Sequence, residues 1–308
     1  MKKLEFRAMG SGMLAVLDDP SLQGEQALQE VPAWFEEWEQ CLSRFRPESE
    51  LSRLNHSAGQ EMMISDTLWE VLQVSREMEA ATSGLVSPAI LGSLESAGYD
   101  RSFEYVLAGS PARQISSLPE PGRSMVAQKT ATSHLFSIPF ETRLDLGGIA
   151  KGWAAGKAVE RLRKFSPALV DAGGDIAISG PRADGSPWPI GIADPFQADG
   201  SLETIMLKEG AVATSGTDYH RWKQGKIWNH HIIDPRTGLP AATDLLTVTV
   251  IAPDAILAEA AAKTVLILGS YEGLNWLEEQ PDIEGLLVLQ FGGILQSENM
   301  KEYLWQEN

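Results

Sequence analysis

The octet Asp145-Leu146-Gly147-Gly148-Ile149-Ala150-Lys151-Gly152 constrains the fold of this chain most strongly. It closes an extended run, Thr142 to Leu146, and leads into a helix-compatible stretch, Ala154 to Lys164. The paired glycines between them permit a tight turn and a close backbone approach to a ligand. Any fold that holds this sequence must place an extended segment, a sharp turn and a helix in direct succession. A helix N-terminus offers free N–H groups and a partial positive charge, to which Lys151 adds a full one. Such a junction can cradle a pyrophosphate, or it can simply turn the chain and carry a surface lysine. The eight residues alone leave both readings open.

The chain has 308 residues, enough for one large domain or two modest ones. Its formal net charge of -17 repels phosphate backbones and anionic lipids, which argues against nucleic-acid or membrane-surface partners. An anionic cofactor can still bind where glycines, helix ends and basic residues gather. Cys41 is the single cysteine, so no intramolecular disulfide forms, and its apolar helical context reads as a small buried hydrophobe. Lys2 and Lys3 have no apolar run behind them, and no segment approaches a membrane span. A cytoplasmic protein without signal peptide, lipid-anchoring cysteine or membrane insertion is expected.

Phe6 to Leu17 reads as strand with a turn at Met9-Gly10-Ser11-Gly12. Apolar residues at helical spacing predict helices over Glu25 to Phe45 and Thr67 to Ala81. Residues 109–133 read as weakly structured strands and loops. Ala168 to Ile178 reads as strand, Gly-Gly turn, strand, and the pattern recurs around Gly292-Gly293. Leu245 to Ala252 is a strand, and Asp254 is placed to cap a helix running to Leu268. Helices and strands mix without a strict βαβ rhythm. The expected class is α+β, with mixed, largely antiparallel sheets and packed helices rather than a doubly wound sheet.

Several polar, Gly-rich segments separate these elements. They are Met9-Gly10-Ser11, Ser43 to Asn55, the octet, Asp171-Ala172-Gly173-Gly174-Asp175, Thr214 to Tyr219, and His231-Ile232-Ile233-Asp234-Pro235-Arg236-Thr237-Gly238. In this order and combination, from Met9 to about Gly269, the chain resembles the ApbE family of flavin transferases. The resemblance implies one ApbE-like domain over 1–308, or two subdomains around a central FAD cleft. It implies that FAD is bound and its pyrophosphate split with Mg²⁺. FMN then passes to a threonine of an acceptor protein and AMP leaves. Some relatives instead hydrolyse FAD to FMN and AMP. Either reaction requires charge neutralisation at two phosphates, a positioned oxygen nucleophile and a proton acceptor.

Carried over residue by residue, the resemblance implies flavin or phosphate contacts at Met9, Ser49, Asp145, Gly147, Gly148, Lys151, Asp175, Ser215 and Tyr219. Each has a plainer reading. Met9 suits a strand-end turn, Ser49 an N-cap, Asp175 a hairpin and Ser215-Gly216 a turn after a strand. His231 is the catalytic candidate, since the family's histidine lies close to the scissile phosphates and imidazole titrates near neutrality. His230 beside it points the other way if the segment is a strand, and Asp234 and Thr237 suit the turn that follows.

The metal positions depart from the family. Its Ala-Asp-Ala-x-Ala-Thr helix, whose Asp and Thr bind Mg²⁺ together with a carbonyl at the position of Ala150, reads here Ala258-Glu259-Ala260-Ala261-Ala262-Lys263. Thr264 comes one residue late, a rotation of roughly 100° around a helix. Ser87 stands where a further acid is typical. Glu259 and Lys263 are therefore either an ordinary i,i+4 pair or a device in which the Lys263 ammonium takes the place of the metal. Three functions follow from the resemblance: FMN transfer, FAD pyrophosphate hydrolysis, or FAD binding with catalysis lost or weakened.

Overall fold

The protein is described by a computed structural model over residues 1–18, 20–106, 126–129, 134–224 and 226–306, with 126–129 given for its backbone only. In chain order the elements are β1 (Lys2–Ala8), β2 (Ser11–Leu17), α1 (Leu22–Leu42), α2 (Glu50–His56), β3 (Met62–Ile64), α3 (Asp66–Ala81), α4 (Leu91–Ser96), β4 (Val126–Lys129) and β5 (His134–Ser137). They continue with α5 (Ala150–Leu162), β6 (Ala168–Ala172), β7 (Asp175–Ile178), β8 (Trp188–Ala193), β9 (Ser201–Leu207), β10 (Gly210–Gly216), β11 (Arg221–Gln224) and β12 (Ile227–His230). The remainder are β13 (Ile233–Asp234), β14 (Leu239–Pro240), β15 (Leu245–Ala252), α6 (Ala255–Leu268), α7 (Ser270–Glu278), β16 (Glu284–Leu289) and β17 (Ile294–Gln296).

The class is α+β, and every pairing among the described strands is antiparallel. The stretch 109–133 lies outside the described residues except for β4. The chain divides into two compact units, each assembled from separate segments. The crossings fall inside α1, inside the octet and at two short polar segments. Two of them, at 150/151 and 218/219, fall in Gly-bearing polar segments, and the one inside α1 has no compositional mark.

The first unit comprises 1–35, 151–218 and 243–308. It is built on an eight-stranded sheet in the order β1-β2-β6-β7-β10-β15-β16-β17. The β8–β9 hairpin covers one face, where Trp188, Ile190, Ile192, Ile205 and Leu207 pack with Val16, Leu169, Val212 and Ile251. Helix α6 packs on β10 and β15. With neighbours on both faces, β15 is apolar along most of its length and buried at seven of eight positions. Helix α6 is capped by Asp254, whose side chain accepts from Leu257 N at 2.9 Å. Its Val265 and Leu266 are fully buried, each contributing about 1.5–3 kcal/mol.

The second unit comprises 36–150 and 219–242. It contains a three-stranded sheet, β3-β5-β4, and the hairpins β11–β12 and β13–β14. Helix α3 starts at Ser65, whose hydroxyl accepts from Leu68 N, and buries Leu68, Val71, Leu72 and Ser75, one stripe at helical spacing. A small core joins Leu94, Ala97, Trp222 and Ile233. Cys41 is half-buried rather than enclosed, and its thiol reaches Glu50 Oε2 at 3.3 Å.

Candidate functional site

The octet forms a turn that winds straight into a helix. Ile149 and Ala150 both donate their N–H to Leu146 O, at 3.0 and 2.8 Å, so α5 begins at Ala150, four residues before the expected start. Lys151 thus sits in the first helical turn. Gly152 is fixed by packing: a Cβ there would lie 2.6 Å from the Ala255 carbonyl oxygen of α6. The run before the octet joins no sheet. Asn55 substitutes for a neighbouring strand, donating to Leu144 O at 2.9 Å and accepting from Leu144 N at 2.7 Å.

In the first unit α5, α6 and β7 bring four charged side chains together. Lys151 pairs with Asp175 and lies 3.8 Å from Glu259 Oε1, to which Lys263 donates at 2.9 Å. Gly152 N donates to the other Glu259 oxygen at 3.1 Å. The carboxylates are dry, with Glu259 and Asp175 side chains 1% and 3% exposed, while those of Lys151 and Lys263 are 24% and 16% exposed. Two buried acids therefore hold two lysines that provide the solvent-reaching part of the cluster. Burial alone would lower the Lys151 pKa, but Asp175 and Glu259 outweigh it and hold Lys151 above its usual range. Burial would likewise raise Glu259, yet Lys263 and Lys151 keep its carboxyl below normal. Asp175 goes the other way, pushed up to about 6 by burial and by the charge of Glu259 despite its pair with Lys151. Asp175 follows the tight β6–β7 turn, in which Gly173 and Gly174 both have positive φ, 70° and 96°. Asp171 Oδ1 accepts from Gly174 N at 2.7 Å to fix that turn.

These residues do not fit a divalent cation. Both Glu259 oxygens are engaged by ammonium groups and a backbone N–H. Among the described residues no group of three His, Cys, Asp or Glu side chains could hold a metal ion. Thr264 is fully buried and donates to Ala260 O of its own helix at 2.9 Å. Ser87, in the second unit, donates to Glu79 Oε1 at 2.5 Å. Ala150 is buried, and its N–H belongs to the turn already described.

Two further first-unit candidates are Met9 and Ser215. Met9 occupies the two-residue β1–β2 turn with a φ of 47°, a strained conformation for a side chain of its size. Ser215 lies within β10, opposite Val248, and not in a turn.

In the second unit Asp145 is held twice over. Its Oδ1 accepts from Gly147 N at 2.9 Å and its Oδ2 pairs with Arg44 Nε at 2.6 Å. The Arg44 guanidinium, 5% exposed, lies 4.0 Å from the Phe45 ring centroid and 4.6 Å from that of Tyr99. Nothing local in the sequence announces Arg44, because its partner is distant along the chain. Gly147 is exposed and Gly148 half-buried, leaving part of the turn's backbone accessible. Ser49 is fully buried as the N-cap of α2, accepting from Ser52 N at 3.0 Å and donating to Ser43 O at 2.5 Å. Its hydroxyl is committed to the helix start rather than to a ligand.

His231 follows β12 and is half-buried, its ring meeting the His220 edge with centroids 5.0 Å apart. His220 in turn lies against Phe103 and the 82%-exposed Tyr219. The two adjacent histidines make different contacts: the His230 ring, at the end of β12, meets Ala241 O at 3.1 Å, and burial lowers its pKa. Asp234 takes the Arg236 side chain and N–H, fixing the β13–β14 turn.

The sequence profile of the ApbE family matches residues 9–287. The FAD:protein FMN transferase of Treponema pallidum is 29% identical over 290 residues, covering 87% of this chain and 78% of the relative. That of Klebsiella pneumoniae is 29% identical over 268 residues, covering 84% and 81%. The crystal structure of an ApbE protein from Thermotoga maritima superposes with a TM-score of 0.87 at 26% identity, covering 99% of each chain. The apo flavinyl transferase ApbE of Pseudomonas stutzeri shares the fold, with a TM-score of 0.82 at 22% identity, covering 100% of this chain and 98% of its own. Among the described residues no helix is long and apolar enough to cross a membrane.

Proposed function

Because the chain belongs to the ApbE family, we propose that it is an FAD:protein FMN transferase. The match over 9–287 carries this reading. The acceptor threonine hydroxyl attacks the FMN phosphorus, the bond from that phosphorus to the bridging oxygen breaks, and AMP departs with that oxygen. The hydroxyl proton passes to the His231 imidazole. The partial positive charge at the N-terminus of α5 favours the pyrophosphate there. Lys151 and Lys263 offset the negative charge that builds on the leaving phosphate. Met9 and Tyr219 match the positions of the family's flavin contacts, while Asp145 and Asp175 act by holding Arg44 and Lys151.

The family's Mg²⁺ would supply two positive charges at the pyrophosphate. Here the Lys263 ammonium, anchored on Glu259, takes that place. The second reading, FAD binding with weakened catalysis, draws on the same observation, since one ammonium carries half the charge of the ion it replaces. Incubation with FAD, with and without a threonine-bearing acceptor peptide, separates the outcomes. AMP with modified peptide is the expected result. AMP alone means hydrolysis, and retained FAD with neither product means a binder. Failure to bind flavin at micromolar concentration would overturn all three.

A further inference from the structure

The β11–β12 hairpin is opposite in charge to the molecule as a whole. Against a net charge of -17, the segment from Tyr219 to Ile233 carries Arg221, Lys223 and Lys226 and no acidic residue. Its register places Arg221 opposite His230, Trp222 opposite Asn229 and Lys223 opposite Trp228. The two faces alternate accordingly. Trp222 and Asn229 are buried, and both donate to Ala97 O, at 2.7 and 2.9 Å, which fixes the hairpin on its inner side. On the outer face Trp228 is 58% exposed between two cations, with Arg221 5.0 Å and Lys223 5.8 Å from its ring centroid. Ile227 is 68% exposed at the end of the hairpin. Among the described residues these cations pair with no carboxylate; Arg221 and Lys223 flank an exposed aromatic ring.

We propose that this outer face docks an acidic segment of the acceptor protein, so that the hairpin selects which threonine reaches the site. The proposal rests on the transferase reading and names its partner. Charge complementarity argues for the occupant: an acidic segment is repelled by the bulk of this surface and attracted at the hairpin. Trp228 supplies apolar contact for the segment's side-chain stems. Placement argues for the purpose, because β12 ends at His230 and the next residue is the candidate base His231. Four strand residues span about 13 Å, so an extended segment on this face lies about four residues from the threonine it presents.

Two threonine peptides test this, identical except that one carries a run of Asp and Glu about four residues from the threonine and the other Asn and Gln. In FMN transfer the acidic peptide is expected to show a KM about tenfold lower, with kcat alike for both. R221E/K223E should erase that ratio, and W228A should reduce it about threefold. Both variants should bind FAD as the parent does. Fluorescence anisotropy of the same labelled peptides, without turnover, should show the same preference and its loss in 0.5 M salt. Equal KM values, or a ratio that survives R221E/K223E, would overturn the proposal. So would hairpin-dependent binding to phosphatidylglycerol vesicles without peptide preference. If neither peptide is modified but anisotropy retains the hairpin-dependent preference, the transferase reading fails and the acidic docking face stands.

Discussion

Lys263→Met removes the closest cation from Glu259 while leaving a side chain that can fill the same space. Glu259 is 1% exposed, so its charge cannot turn to water. Removing one partner of a buried pair costs about 3–5 kcal/mol, because the remaining ion stays desolvated. Lys151 persists at 3.8 Å against 2.9 Å for Lys263, and by distance alone it exerts roughly three-quarters of the attraction. The cost should therefore fall at the low end, about 3 kcal/mol. The sign of the pH dependence should change as well. In the parent the Glu259 pKa is lowered, so its contribution is present above about pH 4.5 and is lost as pH falls. In the variant burial dominates and the carboxyl rises, so stability is lost as pH increases through the new pKa. Urea unfolding followed by tryptophan fluorescence at pH 5 and pH 8 measures both. The double variant Lys263→Met/Glu259→Met removes the pair together and should recover at least about 2 kcal/mol of the single loss. A single-variant cost below about 1 kcal/mol, or an unchanged pH slope, would refute the reasoning.

Other perturbations follow from the same geometry. Gly152→Ala sets a methyl 2.6 Å from a backbone oxygen and should cost about 1–3 kcal/mol in urea unfolding, whereas Gly156→Ala, with open space around it, should be neutral or stabilising. Arg44→Met strands the Asp145 carboxylate and should destabilise by about 3 kcal/mol. The same change should weaken FAD binding measured by flavin fluorescence, and Arg44→Lys should restore it only in part, since an ammonium cannot reproduce the guanidinium's stacking. Lys151→Met leaves Asp175 and Glu259 with Lys263 alone, so one carboxylate takes up a proton and urea stability should decline between pH 5 and pH 8.

The parts of this fold legible in the sequence are those fixed by neighbours along the chain. The Gly173-Gly174 turn, the apolar β15 run and the Asp254 cap each state their conformation locally. The helix after the octet starts earlier than its composition suggests because Gly152, a poor helix former, is demanded there by the Ala255 carbonyl. Arg44 holding Asp145 and Asn55 clasping Leu144 join residues far apart in sequence, and no periodicity marks them. Ser215 reads as a turn residue beside Gly216, yet it lies in a strand because β15 pairs across both. At the candidate site the substitutions at 259 and 263 were readable as a change of charge. Their consequence, a dry carboxylate enclosed by two lysines, depended on α5 and β7 arriving beside α6.

On the proposed function, the Lys263 ammonium serves where the family resemblance implies a metal. The most direct test incubates chelator-treated protein with FAD and the threonine peptide, and follows AMP and peptide mass as Mg²⁺ is titrated in. AMP and FMN-modified peptide are expected before any Mg²⁺ is added, with little change on titration and a loss of transfer in Lys263→Thr. That role of Lys263 would be contradicted by transfer that rises from zero with Mg²⁺ while Lys263→Thr proceeds at the same rate as the parent.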